Sequence, residues 1–218
     1  MYLGHFAVGL AAKPVVPKVS LGILLVATQV IDILYAIFVL VGVGHPGGAS
    51  PWDHGLVMSL IWSAVAFAIS LFFYRDIRSG ILIGLLVLSH WVCDFIAWDH
   101  VLPLAFSGSL KVGLGLYNSV PVMFVGDFGI FGGALALYLI RTKANDRIGK
   151  WAPWLLVAYL IALIPTTLLP GKLIIIMAIG MTLVVPFGMW IDRHRSVIPI
   201  QRKKHGVPKA LLAICLAA

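Results

Sequence analysis

Apolar residues run through this chain in long blocks separated by short polar turns. The blocks are too continuous for strands or for one-sided surface helices. Six of them, 19–43, 55–74, 80–98, 120–140, 152–169 and 173–191, are candidate spans. At about 1.5 Å per helical residue each can cross most or all of roughly 30 Å of hydrocarbon. A seventh block, residues 1–12, is apolar except for His5 and could cross only about half that thickness. It ends at Lys13-Pro14-Val15-Val16-Pro17-Lys18, where two prolines prevent a helix from passing intact. With no charged face to lie on a membrane surface, it is predicted to fold back into the bilayer alongside the first span. The fold class is therefore all-α: a polytopic membrane protein with six transmembrane helices and a short re-entrant N-terminal helix. Two sets of small residues, Gly80 with Gly84 and Gly126 with Gly129 and Gly133, predict close helix contacts.

Composition agrees with the pattern. Of 218 residues, 61% are hydrophobic and only 11% charged, against about 25% charged in soluble domains. The net charge of +8 resides in short turns and the tail, without interleaved aromatic platforms, so no nucleic-acid partner is expected. Segments 1–18, 75–78, 141–150 and 192–218 hold 14 Lys and Arg, and the alternating loops hold 2. The positive-inside rule then places both termini in the cytoplasm, with residues 44–54 and 99–119 outside. All of 1–218 reads as one integral membrane domain. Residues 1–140 carry the polar side chains, the helices of 151–191 are scaffold, and 192–218 is a basic cytoplasmic tail. The apolar start lacks the basic residues of a signal peptide and is expected to be retained. Cys93 and Cys215 belong to no CxxC pair, so neither a disulfide nor a thiolate metal site is expected.

The polar residues inside the apolar blocks change the picture. His90 and Asp94 are four apart, on one face of a helix. Neutral imidazole and carboxylate at that spacing suit a divalent metal. Counted along the helices, Gln29 and His90 lie at a depth of ~16 Å from the cytoplasmic side, and Asp32 and Asp94 at ~20 Å. Asp127 falls at a similar level, His5 at about 12 Å, and His54 nearer the outer surface. Each intramembrane carboxylate costs about 2.5–3.5 kcal/mol on insertion, and no Lys or Arg lies in any of the six blocks to balance them. Protons, protonated histidine or a bound cation must do so.

An early His in an apolar first dozen, Asp32 in the next span, Trp52-Asp53-His54 opening the second and His90-x-x-x-Asp94 in the third resemble a known family. It is the bacterial membrane-bound metal-dependent hydrolases, also described as LexA-binding, inner-membrane-associated hydrolases. Residues 111–121 share the likeness, which covers roughly 1–150 well and the last two spans loosely. The order of ligands is distantly similar to the zinc-dependent phospholipase C fold. The resemblance implies metal-ligand roles for His5, Asp32, His54, His90 and Asp94.

The resulting expectation is a membrane-embedded hydrolase with a divalent metal, zinc first, acting on a lipid or lipid-linked ester or phosphoester. Asp127 would accept the proton of water or complete the ligand shell. Lys111 and Asn118, with His100 and Gln29, would bind a lipid-like substrate with an anionic head group. An ion-coupled transporter and a non-catalytic membrane scaffold are the alternatives.

Overall fold

The computed structural model describes residues 2–43, 48–106, 108–169 and 171–199, apart from the side chain of Lys172. Most of the tail, including the apolar stretch 210–218, lies outside the described residues, as do His45 and Ser107.

The chain is mostly helical. Eight α-helices follow one another: α1 (Leu3–Ala12), α2 (Leu21–Ala27), α3 (Val30–Leu40), α4 (Leu56–Tyr74), α5 (Ile77–Ala97), α6 (Val120–Arg141), α7 (Arg147–Leu163) and α8 (Ile175–His194). The segments Leu56–Tyr74, Ile77–Ala97, Val120–Arg141, Arg147–Leu168 and Ile175–His194 are each long and apolar enough to cross a membrane. The first predicted span is not one helix. It breaks at Thr28 and Gln29 into α2 and α3, bent by 58° to each other. Thr28 turns its hydroxyl back on the Leu25 carbonyl (2.7 Å), and Gln29 takes a non-helical conformation as the N-cap of α3. Both residues are completely buried, so the break is set by what surrounds it.

The N-terminal helix lies inside the bundle. In α1 only Val8 and Ala11 escape full burial, and the helix packs on α6, α2 and α5. Phe6 and Leu10 belong to the larger apolar core, together with residues of α6, α7 and α8. Close approach between α2 and α8 depends on glycine: a Cβ at Gly22 would enter the Val185 backbone, and one at Gly188 would enter Gly22. Gly80 and Gly84 make the expected contact, with α4 at Phe67 and Ser63. The expectation for α6 is corrected. A side chain at Gly129 or Gly133 would meet no described atom within 4 Å, and Gly126 faces Tyr117. This part of α6 looks outward, with Phe124, Val125, Phe128 and Ile130 exposed.

The two ends of the bundle differ. At one, β3 (Thr142–Ala144) pairs antiparallel with β4 (Arg195–Val197), and Lys13 reaches Asp192 at 2.8 Å, so the basic segments gather there. At the other, β1 (Leu102–Pro103) pairs with β2 (Lys111–Val112). Leu104 accepts from Val57 N there, and Phe95 accepts from Leu114 N. His90 and Asp94 occupy the last two turns of α5, near this less basic end.

Candidate metal centre

Three elements and one loop bring the predicted ligands together. Asp32 sits in the first turn of α3, just past the break; His90 and Asp94 share a face of α5; His5 comes from α1; His54 comes from the turn before α4. Two overlapping triads, His5–His90–Asp94 and Asp32–His54–His90, each have donor atoms within 4.8 Å of one another.

Four N···O approaches link Asp32, His54, His90 and Asp94 into a cage of donors. His54 Nε2 is 3.3 Å from Asp32 Oδ1 and 3.6 Å from Asp94 Oδ2. His90 Nε2 is 3.5 Å from Asp32 Oδ1 and 3.2 Å from Asp94 Oδ2. A tetrahedron whose corners lie about 2.0–2.1 Å from its centre, the range for zinc with N and O donors, has edges of about 3.3–3.4 Å. The four approaches scatter around that length. The two made by His90 are poor as hydrogen bonds, for its Nε2 is fully buried yet has no aligned hydrogen-bond partner among the described residues. With both imidazoles neutral the two carboxylates leave a charge of minus two, which one divalent cation, or protonation of both histidines, cancels.

The other ring nitrogens are already committed. His90 Nδ1 lies 2.7 Å from the Thr28 carbonyl and donates to it, which leaves a lone pair on Nε2. The helix break frees that carbonyl at the C-terminus of α2. His54 Nδ1 donates to Asp53 Oδ1 at 2.7 Å. Asp53 is itself fully buried and held by Ser50 N (3.0 Å), Ser50 Oγ (2.5 Å) and His54 N (2.7 Å). A histidine whose second nitrogen is fixed by a carbonyl or carboxylate is the arrangement metal-binding histidines adopt.

His5 stands differently. Its ring stacks on that of His90, with centroids 3.9 Å apart and planes within 7°. An imidazole lone pair lies in the plane of its ring, so two stacked parallel rings cannot aim at one ion. The His54 and His90 rings, inclined at 64°, can converge. His5 Nε2 instead faces the other oxygen of Asp94, Oδ1, at 3.1 Å, and Trp98 Nε1 donates to the same oxygen at 3.2 Å. Both hold the carboxylate so that Oδ2 enters the cage. Exposure is uneven: the His90 side chain is sealed, Asp94 is 4% exposed, His54 11% and Asp32 20%. The open side is that of Asp32.

Other predicted residues lie elsewhere. Asp127 is not in the cage; its carboxylate accepts the backbone N–H groups of Tyr2 (3.2 Å), Leu3 (3.1 Å) and Gly4 (2.5 Å). It caps α1, compensating the positive end of that helix, and the proton-accepting role read from the sequence is withdrawn. His100 and Asn118 meet on Asp99, in an exposed loop, and the hydrogen bond from His100 holds the Asp99 carboxyl below its usual range. Lys111 is exposed on β2. Gln29 is buried beside the break and donates to Thr28 Oγ1 at 3.2 Å. None of these four contributes a cage atom. Sequence reasoning missed Asp53, Thr28 and Trp98. The one available signal was the placement of Asp53 directly before His54. Comparison with family models, with curated proteins and with solved structures finds no match.

Proposed function

We propose that this chain is a membrane-embedded, zinc-dependent hydrolase acting on a lipid or lipid-linked ester or phosphoester. The observation that carries it is the four-donor cage of Asp32, His54, His90 and Asp94, preset by Asp53 and the Thr28 carbonyl. The sequence likeness to membrane-bound metal-dependent hydrolases supports the same reading. Magnesium and calcium fit less well, because they favour six or more oxygen donors.

A divalent cation held there polarises a carbonyl or phosphoryl oxygen and lowers the pKa of water. His54, His90 and Asp94 form a two-histidine, one-carboxylate set of the kind that holds catalytic zinc with a corner open. Asp32, the least enclosed donor, would serve as the base beside them. Its carboxylate then takes the proton of the attacking water as the water oxygen bonds to the acyl carbon or phosphorus. The same proton passes to the leaving oxygen as the ester bond breaks. By the positive-inside rule the basic end would face the cytoplasm and this site would lie in the outer half of the bilayer.

The test uses purified protein in mixed micelles containing phospholipids and acyl esters. Hydrolysis should stop on chelation, return with zinc, and fall by about 10²–10⁴ in Asp32→Asn while a bound ion persists. Full metal occupancy without hydrolysis of any of these lipids would overturn the proposal. A second reading, an ion-coupled carrier, draws on the broken span, since half-helix ends meet ions in transporters. Zinc uptake by proteoliposomes, abolished in His90→Ala and unaccompanied by hydrolysis, would establish it instead.

A further inference from the structure

A second built site lies at the opposite end of the bundle from the cage. A cavity of about 440 Å³ opens between the turn joining α1 to α2 and the end of α8, within the range of small-ligand sites. Its walls carry four cationic side chains, Lys13, Lys18, Arg193 and Arg195, against one carboxylate, Asp192. We infer that this cavity binds a phosphate group, supplied by the head group of an anionic phospholipid in the leaflet at the basic end.

The cavity is rigid where a site needs to be. Lys13 is buried and fixed by Asp192 Oδ1 (2.8 Å) and the Val19 carbonyl (2.9 Å). Asp192 spends its other oxygen on Leu21 N at 2.7 Å, so its charge is already shared between a lysine and the start of α2. Arg195 is buried, with its guanidinium on the carbonyls of Gly149 (2.7 Å) and Thr142 (3.2 Å) and over the Tyr138 ring. These groups set a positive potential and build the wall. Lys18 and Arg193 differ: both are exposed, and neither side chain makes a hydrogen bond or ion pair with a described residue. They are the two cations available to a phosphate, and an arginine is suited to grip its oxygens bidentately.

Two observations favour a lipid as the source. The cavity sits where the apolar length of α8 meets the basic end. Met189, which lines it, is 48% exposed on the helix flank, where an acyl chain would run. Basic pockets at the ends of membrane helices bind anionic head groups in this manner.

The experiment measures the thermal midpoint of the full chain in neutral detergent with added phosphatidylglycerol, phosphatidylcholine or inorganic phosphate. Phosphatidylglycerol should raise the midpoint by several degrees, and phosphatidylcholine should not. In Lys18→Ala/Arg193→Ala the concentration needed should rise at least tenfold. Lys143→Ala/Lys150→Ala, which removes two exposed charges at the same end but outside the cavity, should respond as the parent does. An equal loss in both double variants would mean diffuse attraction and overturn the inference, as would no shift with phosphatidylglycerol. An equal shift with inorganic phosphate alone would overturn the lipid source. If Lys18→Ala/Arg193→Ala lowers the starting midpoint, retention of radiolabelled phosphatidylglycerol on the immobilised protein gives the same comparison without heating.

Discussion

At the scale of single residues, the cage depends on where each histidine carries its proton. His90 and His54 present Nε2 because Nδ1–H of each is held, by the Thr28 carbonyl and by Asp53. Such partners fix the ring and raise the basicity of the ligating nitrogen, and their removal typically costs about 10–100-fold in metal affinity. Asp53→Ala should therefore weaken zinc binding by about that factor, although Asp53 itself contributes no cage atom. Competition against a fluorescent chelator reads this directly, and unchanged affinity would remove Asp53 from the account. The opposite carboxylate, Asp94, is steadied by His5 and Trp98 through the oxygen that faces away from the cage. The four N···O approaches, and not the mere proximity of acids and histidines, distinguish this group from the exposed trio of Asp99, His100 and Asn118, whose members hydrogen-bond one another.

Among the elements, α1 and the broken span do the most to shape the site. A ten-residue helix buried inside a bundle exposes none of its first N–H groups to water, so something must accept them. Asp127 does so from the middle of α6. In Asp127→Asn one side-chain oxygen still accepts from α1 while the NH2 no longer can, a cost to stability and not to proton transfer, whereas a general base cannot be replaced by an amide. Asp127→Asn should accordingly keep hydrolytic turnover within a few-fold of the parent, while loss of a general base would lower it by about 10²–10⁴. A steady-state assay separates the two. The break between α2 and α3 serves the site twice: it frees the Thr28 carbonyl for His90 and starts α3 where Asp32 must turn inward. A continuous helix through Thr28 would spend that carbonyl on its own ladder.

Across the whole molecule, polar chemistry gathers at one end and basic charge at the other. The orientation is tested by labelling with an impermeant thiol reagent in intact cells of a Cys93→Ala/Cys215→Ala background. Cysteine placed at Ser119 should react, and cysteine placed at Lys150 should not; the reverse would put the cage on the cytoplasmic side. Much of this plan was legible in the sequence. Apolar block length located the helices, and the i,i+4 spacing of His90 and Asp94 marked one wall of the cage. The break in the first span was not legible, because neither Thr28 nor Gln29 breaks a helix by its own propensity. The duty of Asp127 was hidden for another reason: a mid-span carboxylate reads the same whether it faces a cation or a helix N-terminus some 120 residues away in sequence. Stacking likewise decides the place of His5, and no spacing rule reports on ring planes. The measurement that reaches the centre of this account is the metal content of protein purified without chelator. One zinc ion per chain is the predicted result, with His5→Ala retaining the ion at reduced affinity and His90→Ala losing it. No stoichiometric metal, two ions per chain, or a full complement in His90→Ala would contradict it.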